Sequence, residues 1–448
     1  MKHIIAIFGG AVSGAEAAYQ LSQRGIRSVV FEQNVLPYGK IEDGLPKWHA
    51  KLRDQEEAKI NDKLNHELID FVPGVSLGKD IDFKEVLNDW GFSAILLATG
   101  AWKDRPLPIE GIDNFIGRGF YYQNPFIYWF NHFHEPTFKG ENIEIRDEAI
   151  VVGGGLASID VCKALMMLSV EKALKERGIE TNVLELDKGI NRKLDLLGLT
   201  LEDLGLKGCT LYYRRRIKDM PLSPVPADTP DKLPKVEQIR EKILNNARKK
   251  FLFNVEELHL PISKIEENGE LKGIVFQKTE IVNGKAQPIK NSDKAVFSQL
   301  IISSIGSVSL PINGIPMKWQ NFDVDKAKCC RIQGYKNVFA LGNAVTGRGN
   351  IIESKKHGRA VTAQILDDHF IEPGDLFVQK ITSKSDSVLN QTGNIVGQIE
   401  RFIPPNNDQM NEIYQRVSVL QNKAGYDGDF MKWVEKSVPM RLENMVGH

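Results

Sequence analysis

Cysteine is scarce: four stand in a chain of 448 residues, and no two form a C-x-x-C pair or an evenly spaced framework. That argues against a disulfide scaffold. Cys162, Cys209, Cys329 and Cys330 therefore read as free thiols of a cytoplasmic protein, with the adjacent Cys329 and Cys330 taken as a strand-edge pair without redox role. Long apolar runs are also missing. None reaches the ~18 residues of a membrane span, and the opening MKHIIAIF runs straight into a glycine turn, so it reads as a first strand rather than a signal peptide. Charge of one sign is lacking too, since Lys plus Arg and Asp plus Glu both number 58. A general affinity for nucleic acid or membrane surfaces driven by charge is thereby unexpected. No Ser/His/Asp set and no paired carboxylates for acid–base work stand out. His132 and His134 have no further ligands flanking them, so structural roles and no metal are expected.

What is present is a globular, two- or three-domain composition with 42% apolar residues. Strand-like and helix-like stretches alternate, which predicts an α/β fold with parallel sheets. The first segment, 1–105, reads as strand, glycine turn, helix and strand, ending in the buried run SAILLATG at 93–100. A second unit of the same kind starts at 148. Its helix is followed by a stretch at 171–208 read as a polar insertion, then by the strand CTLYYRRR. Apolar Val236, Ile239, Ile243, Leu244, Ala247 and Phe251 fall at helical spacing over 235–251. The strand-turn NVFALGNAVTGRGN at 337–350 precedes a closing helix at 353–370. In the tail beyond 371, Met410, Ile413, Tyr414, Val417 and Leu420 predict one amphipathic helix ending near Gly425. The expected organisation is two Rossmann-like domains, the second inserted in the first: 1–105 and 331–370 form one, 106–330 the other, and 371–448 an extension of unknown role.

The two glycine turns carry the chemistry. A dinucleotide turn needs a small residue for the sharp bend, a second for close approach of the pyrophosphate, and a third for helix-on-strand packing. The helix N-terminus supplies N–H groups to the phosphates. In HIIAIFGGAVSGAEAA the three positions are Gly9, Ala11 and Gly14; alanine at the middle position is expected to crowd the pyrophosphate slightly. Glu32 closes the next strand, where an acid accepts hydrogen bonds from a ribose and disfavours a 2′-phosphate. This turn suits FAD or NAD. In EAIVVGGGLASID the positions are Gly153, Gly155 and Ser158. The next strand ends in Arg214, Arg215 and Arg216, whose guanidinium forks suit the 2′-phosphate of NADP; a solvated basic strand end is the plain alternative. With FAD on one turn and NADPH on the other, hydride passes between the two rings, and the protein need supply no general acid or base.

At this point GGAVSGAEAA, LLATGAWKDRPLPIEG, VVGGGLASIDV, LYYRRRIKDMP and VFALGNAVTGRGNI together resemble the two-dinucleotide flavoproteins, in particular adrenodoxin reductase (ferredoxin–NADP reductase) and the small subunit of glutamate synthase. The resemblance covers roughly 1–370. It implies that DGLPKWHAKLR at 43–53 lies along the flavin, with His49 beside the isoalloxazine, and that the backbone around Val75 reads adenine. It sets Gly342 and Asn343 where the family has Gly-Asp against the flavin phosphate or ribityl chain, and Asp160 on the NADP helix. The residues expected against FAD are thus Gly9, Ala11, Ser13, Gly14, Glu32, Gln33, Leu45, His49, Val75, Thr99, Gly100, Gly342, Asn343, Asn350 and Ile351. Those expected against NADP are Gly153, Gly155, Leu156, Ala157, Ser158, Asp160, Arg214 and Arg215.

The chain departs from the family in lacking the cysteine-rich iron–sulfur domain of glutamate synthase small subunits and the cysteine pair of disulfide reductases. Electrons must then leave to a ferredoxin- or flavodoxin-like carrier, to a partner enzyme subunit, or to a small organic substrate. Lys235, Arg240, Lys242, Arg248, Lys249 and Lys250 offer a docking face for an acidic carrier, with an ordinary solvated helix as the alternative. The aromatics at 120–133 read as core packing or as the lining of a pocket or interface.

Overall fold

The computed structural model describes residues 3–223, 232–345 and 373–445, with the backbone alone for 373–380. The expected closing helix at 353–370, Asn350 and Ile351 lie outside the described residues. Five apolar residues in a row, all buried, make β1 (Ile4–Phe8) a strand covered on both faces. It pairs in parallel with β2 (Arg27–Glu32), which pairs with β3 (Ile69–Pro73), and on its other side with β4 (Ala94–Leu97). Helix α1 (Val12–Ser22) buries Ala15, Ala17, Ala18 and Leu21 on this sheet. A later helix, α2 (Ala50–Leu64), also packs on α1.

The chain then crosses to a second, all-parallel sheet. Its strands are β5 (Phe120–Tyr122), β6 (Ile150–Gly153), β7 (Thr210–Tyr213) and β8 (Asn254–Glu257), joined by a later strand, Ile301–Ser304, that enters between β5 and β6. Helix α3 (Gln123–His132) carries the aromatic segment, and Phe126, Trp129 and Phe130 are buried in the core of this half with Trp48. Helix α4 (Leu156–Glu176) follows the second glycine turn. Helix α5 (Leu233–Phe251) buries all six apolar residues predicted for it. A three-stranded antiparallel sheet spans His259–Phe297.

The chain returns beside its outgoing path, where Ser307–Val308 pairs with Lys103–Asp104. It then adds Val324–Asp325, Arg331–Ile332 and Val338–Ala340 to the first sheet, the last of these parallel to β4. One domain is thus inserted in the other, as the sequence predicted.

Two expectations need correction. The stretch 171–208 is not a polar insertion: its residues to 176 belong to α4, and short helices at Val183–Asp187 and Ile190–Leu197 bury Val183, Leu186, Ile190 and Leu194 in the second core. The tail holds more than one helix. Helices α6 (Pro373–Ile399), α7 (Asn407–Ala424) and α8 (Phe430–Ser437) are followed by a short turn of helix at Leu442–Met445. Of these α7 is the predicted one, ending at Gly425 in the left-handed conformation. Gln391 and Gln398 of α6 bond to Cys329, which with Cys330 sits in the turn between two short strands, both at φ of 56°. Among the described residues no helix is long and apolar enough to cross a membrane.

Candidate functional site

Both glycine turns sit at the carboxyl ends of their parallel strands, the end of an open α/β sheet where ligands bind. At the first turn the need for small residues is geometric. A Cβ on Gly14 would stand 1.7 Å from the Gly9 carbonyl oxygen, and one on Gly9 (φ +102°) 2.5 Å from that of Ala98. Strand and helix therefore touch backbone to backbone. The first turn of α1 has no side-chain cap, so its N–H groups face outward without an internal acceptor from a cap.

The alanine at the middle position meets a compensating glycine. A Cβ on Gly39 would come within 2.9 Å of the Ala11 methyl. The Ala11 methyl therefore requires a glycine at position 39. Gly342, at φ +59°, approaches the turn from the far side, and a Cβ there would be 2.1 Å from Ser13 Oγ. Thr99 flanks Gly9, and Gly100 follows at φ +69°. Asn343 is half-buried beside Gly342.

Glu32 closes β2 almost fully buried. It accepts the Gly10 N–H at 2.7 Å on one carboxylate oxygen and the Asn34 N–H at 3.0 Å on the other. Each oxygen keeps a further lone pair, so two hydroxyl donors fit. Burial pushes the Glu32 carboxyl up to about 7, against the pull of the Asn34 and Gly10 hydrogen bonds. Gln33 is exposed. Val75 is buried, and its N–H donates to the Glu32 carbonyl at 2.8 Å, so that donor is already engaged.

At the second turn Gly153 is required: a Cβ would stand 2.2 Å from Ser158 Oγ and 2.5 Å from the Ser304 carbonyl. Gly154 lies against the Tyr213 ring at 2.2 Å by the same measure. Gly155 is different, because a Cβ there would meet nothing within 4 Å among the described residues. Among the described residues the backbone here faces open space at the start of α4. Ser158 Oγ accepts the Gly155 N–H at 3.3 Å and donates to the Ser304 carbonyl at 3.1 Å, tying helix to strand. Leu156 is buried, and Ala157 and Asp160 are half-buried on the first turns of α4.

β7 is the direct parallel neighbour of β6, so the three arginines follow the strand next to the turn, as the sequence register required. Arg214 is exposed. Their backbone is pinned, since Thr279 Oγ1 donates to the Arg214 carbonyl and the Leu258 N–H to that of Arg215.

The segment from Gly39 to His49 bridges the two halves. Lys40 Nζ donates to Asn124 Oδ1 at 2.9 Å and Ser307 Oγ at 3.2 Å, and lies 5.7 Å from the Trp102 ring centroid. Burial pulls the Lys40 ammonium down to about 8, against the nearby Asp104. Gly39 faces Ala11, Lys40 reaches Ser307, and Ser304 accepts from Ser158, so a short relay of contacts joins the two turns. Sequence reasoning missed this hub; the PYG turn at 37–39 was its one local signal.

Leu45 is buried and its carbonyl accepts from Asn131 Nδ2 at 2.9 Å. The half-buried His49 ring lies 5.7 Å from Trp48, and burial, then the charges of Lys163 and Lys250, hold it down to about 3. It is a neutral imidazole facing the second domain. His132 is an ion-paired group: Nδ1 is 2.7 Å from Glu135 and Nε2 is 3.3 Å from Asp43. Burial disfavours its charge, but the two carboxylates raise it to about 9. Glu42, His132 and Glu135 are close enough to surround a metal ion. Carboxylates already face both ring nitrogens, and Arg441 pairs with Glu42.

Fold and turns define a class, an oxidoreductase with two dinucleotide-binding domains, and comparison with known proteins agrees. Residues 3–195 match the model of the pyridine nucleotide-disulphide oxidoreductase family. The mitochondrial NADPH:adrenodoxin oxidoreductase of Arabidopsis thaliana is 24% identical, over 74% of this chain and 72% of that protein. The glutamate synthase (NADPH) small chain of Bacillus subtilis is 31% identical, over 39% of this chain and only 34% of that one. FprA of Mycobacterium tuberculosis, solved in complex with NADPH, superimposes with a TM-score of 0.65 at 19% identity, covering 94% of this chain and 91% of that one. The likeness to FprA establishes the fold across both domains and the tail. The resemblance read from the motifs therefore holds.

Proposed function

We propose that this chain is an FAD-containing oxidoreductase that takes electrons from NADPH and passes them to a ferredoxin- or flavodoxin-like carrier. The carrying observation is the opposite charge at two otherwise alike sites: buried Glu32 beside the first turn, Arg214 and Arg215 beside the second. When bound, the two cofactors supply the chemistry, a hydride transfer from nicotinamide to flavin. The chain's own residues bind and orient. Gly9, Gly14 and Gly342 keep the first turn narrow, Glu32 accepts ribose hydroxyls, and Ser13 and Asn343 face the same space. Gly155 leaves room for the second pyrophosphate, and the arginines meet a 2′-phosphate. The resemblance sets the neutral His49 beside the flavin ring.

The row of exposed Lys235, Lys242 and Lys249 on α5 supports an acidic carrier, because spacing of seven residues keeps all three on one helix face. A permanent partner subunit is the second reading, favoured by the likeness to a glutamate synthase small chain. A cytoplasmic location belongs to the proposal and rests on the free thiols.

The test is direct. The purified protein should release about one FAD per chain on denaturation. Stopped-flow reduction should be faster with NADPH than with NADH at equal concentration, and Glu32→Arg should weaken FAD retention. A flavin-free protein, or a preference for NADH, would refute the assignment.

A further inference from the structure

Asp219 lies outside every role assigned above, yet its carboxylate is nearly buried, with 8% of the side chain exposed. Arg216 binds it with two parallel hydrogen bonds, Nε at 2.9 Å and Nη2 at 2.8 Å. Arg215 turns its Nε to Oδ2, the oxygen that Arg216 Nε bonds, at 3.6 Å, and that Nε is buried with no hydrogen-bond partner among the described residues. The Asp219 backbone is held as well. Its N–H donates to the Arg216 carbonyl at 2.8 Å, and Tyr213 Oη donates to the Asp219 carbonyl at 3.3 Å. The Tyr213 ring is the surface that lies on Gly154. One acid therefore links the glycine turn, through Tyr213, to two of the three arginines.

The geometry follows from the shape of guanidinium. Its five N–H groups lie in one plane, with Nε–H on one edge. The carboxylate attracts the Arg215 Nε edge by charge at 3.6 Å, without a hydrogen bond, so that edge faces inward toward Asp219. Arg216 is committed on its Nε/Nη2 edge and keeps its Nη1 hydrogens. The carboxylate also separates cations that stand next to each other in sequence and would otherwise repel.

We propose that Asp219 is a positioning residue for the 2′-phosphate of the coenzyme, setting Arg215 and Arg216 as a preformed fork beside the second glycine turn. The inference rests on the NADPH reading of that turn. It differs from a purely electrostatic account in the sign of its outcome. An acid whose effect was only its charge would oppose phosphate binding, and its removal would tighten the site. An acid that orients the fork weakens the site when removed, because side-chain order must then be acquired on binding.

The experiment is calorimetric titration of the FAD-loaded protein with 2′,5′-ADP and, separately, with 5′-AMP, which lacks the 2′-phosphate. The wild type should prefer 2′,5′-ADP. Asp219→Asn keeps the shape and loses the charge, and should raise the Kd for 2′,5′-ADP about tenfold. The Kd for 5′-AMP should move by less than about twofold. Asp219→Glu, which retains a carboxylate on a longer arm, should lie between the two. It also serves if the Asn variant has no cooperative melting transition.

A wild type that binds both ligands alike would refute the NADPH reading itself. A wild type that discriminates, with an Asn variant that binds 2′,5′-ADP as well or better, would overturn the positioning role alone. Equal weakening of both ligands would also overturn it, because the residue would then act on the domain as a whole.

Discussion

Replacing Gly14 and Gly155 by alanine should separate the two jobs that glycine does in these turns. At Gly14 the added methyl would stand 1.7 Å from the Gly9 carbonyl oxygen and 2.9 Å from its carbon. Ordinary contact needs about 3.5 Å, so helix and strand must part by on the order of 2 Å. Neither side gives way easily. Gly9 N–H is bonded to the Phe31 carbonyl and Ala98 N–H to that of Phe8, both at 2.8 Å, and α1 is locked by fully buried Ala15, Ala17, Ala18 and Leu21. Overpacking of this kind costs roughly 1–3 kcal/mol, here at the upper end, or about 6–12 °C in Tm. FAD retention should fall with it. At Gly155 the methyl meets nothing within 4 Å among the described residues, and φ of −96° suits any residue. Gly155→Ala should cost less than ~1 kcal/mol of stability. It should nevertheless raise the Kd for NADPH by about tenfold or more, because the methyl occupies the space left for the pyrophosphate. Thermal melts, the flavin-to-protein absorbance ratio and coenzyme titration read all three quantities. A stable, flavin-replete Gly14→Ala protein, or a Gly155→Ala protein with normal coenzyme affinity, would refute the reasoning.

Three further outcomes are expected. The double variant Arg214→Ala, Arg215→Ala should raise the KM for NADPH at least tenfold and hardly change that for NADH, since each charge-assisted bond is worth roughly 1.5–3 kcal/mol. Oxidation of the reduced protein by ferredoxin or flavodoxin should slow as the Debye length shrinks from about 30 Å at 0.01 M to about 8 Å at 0.15 M salt. Charge reversal at Lys249 and Lys250 should reduce that rate, and a flat salt response would favour a docked partner. His132 is held at about 9, above its ordinary 6.5, so its ion pairs stabilise fully below about pH 6.5 and are lost as pH rises through about 9. The stability gap between wild type and His132→Gln, read by denaturant unfolding, should therefore be larger at pH 6 than at pH 10, by on the order of 2 kcal/mol after allowance for solvent screening. An equal gap at both would exclude the imidazolium bridge.

What was legible in the sequence was what local chemistry dictates. A buried run broken by glycine and restarted at helical period can hardly be anything but a strand-turn-helix, and α5 showed its core face in six apolar residues. The helices at 183–197 were hidden because Val183, Leu186, Ile190 and Leu194 are thinly spread among charges and divided by Gly189. Their burial against α4 and α5 comes from tertiary packing. Helix α6 is rich in Ser, Thr, Asn and Gln, with Gly393 and Gly397 inside it, so propensity argues against a helix. Packing on α1 overrides that, with Val388, Thr392 and Ile395 buried and Ser385 bonded to Glu16. The hub at Lys40 was invisible for another reason: Lys40, Trp102, Asn124 and Ser307 are distant in sequence, and their meeting depends on the two crossing strands lying side by side.

The two proposed nucleotide readers are held by opposite means, and on that reading their charges would not interchange. Glu32 is buried, with its carboxylate fixed by backbone N–H groups and its acidity weakened to about 7. Such a group suits neutral hydroxyls, which accept or donate with either protonation state, and it offers a phosphate no cation. The side chains of Arg215 and Arg216 are partly open to solvent and both face the Asp219 carboxylate, which the proposed role makes their positioning group. Three adjacent guanidinium groups and one carboxylate leave about two positive charges, close to the −1.5 to −2 carried by a phosphomonoester at neutral pH. A ribose without that phosphate would leave the charge uncompensated and draw little affinity from it. On the proposed assignment the first site would reject a 2′-phosphate by burial and the second would favour one by charge, so each turn would select its own nucleotide although the strands and helices beneath them are alike.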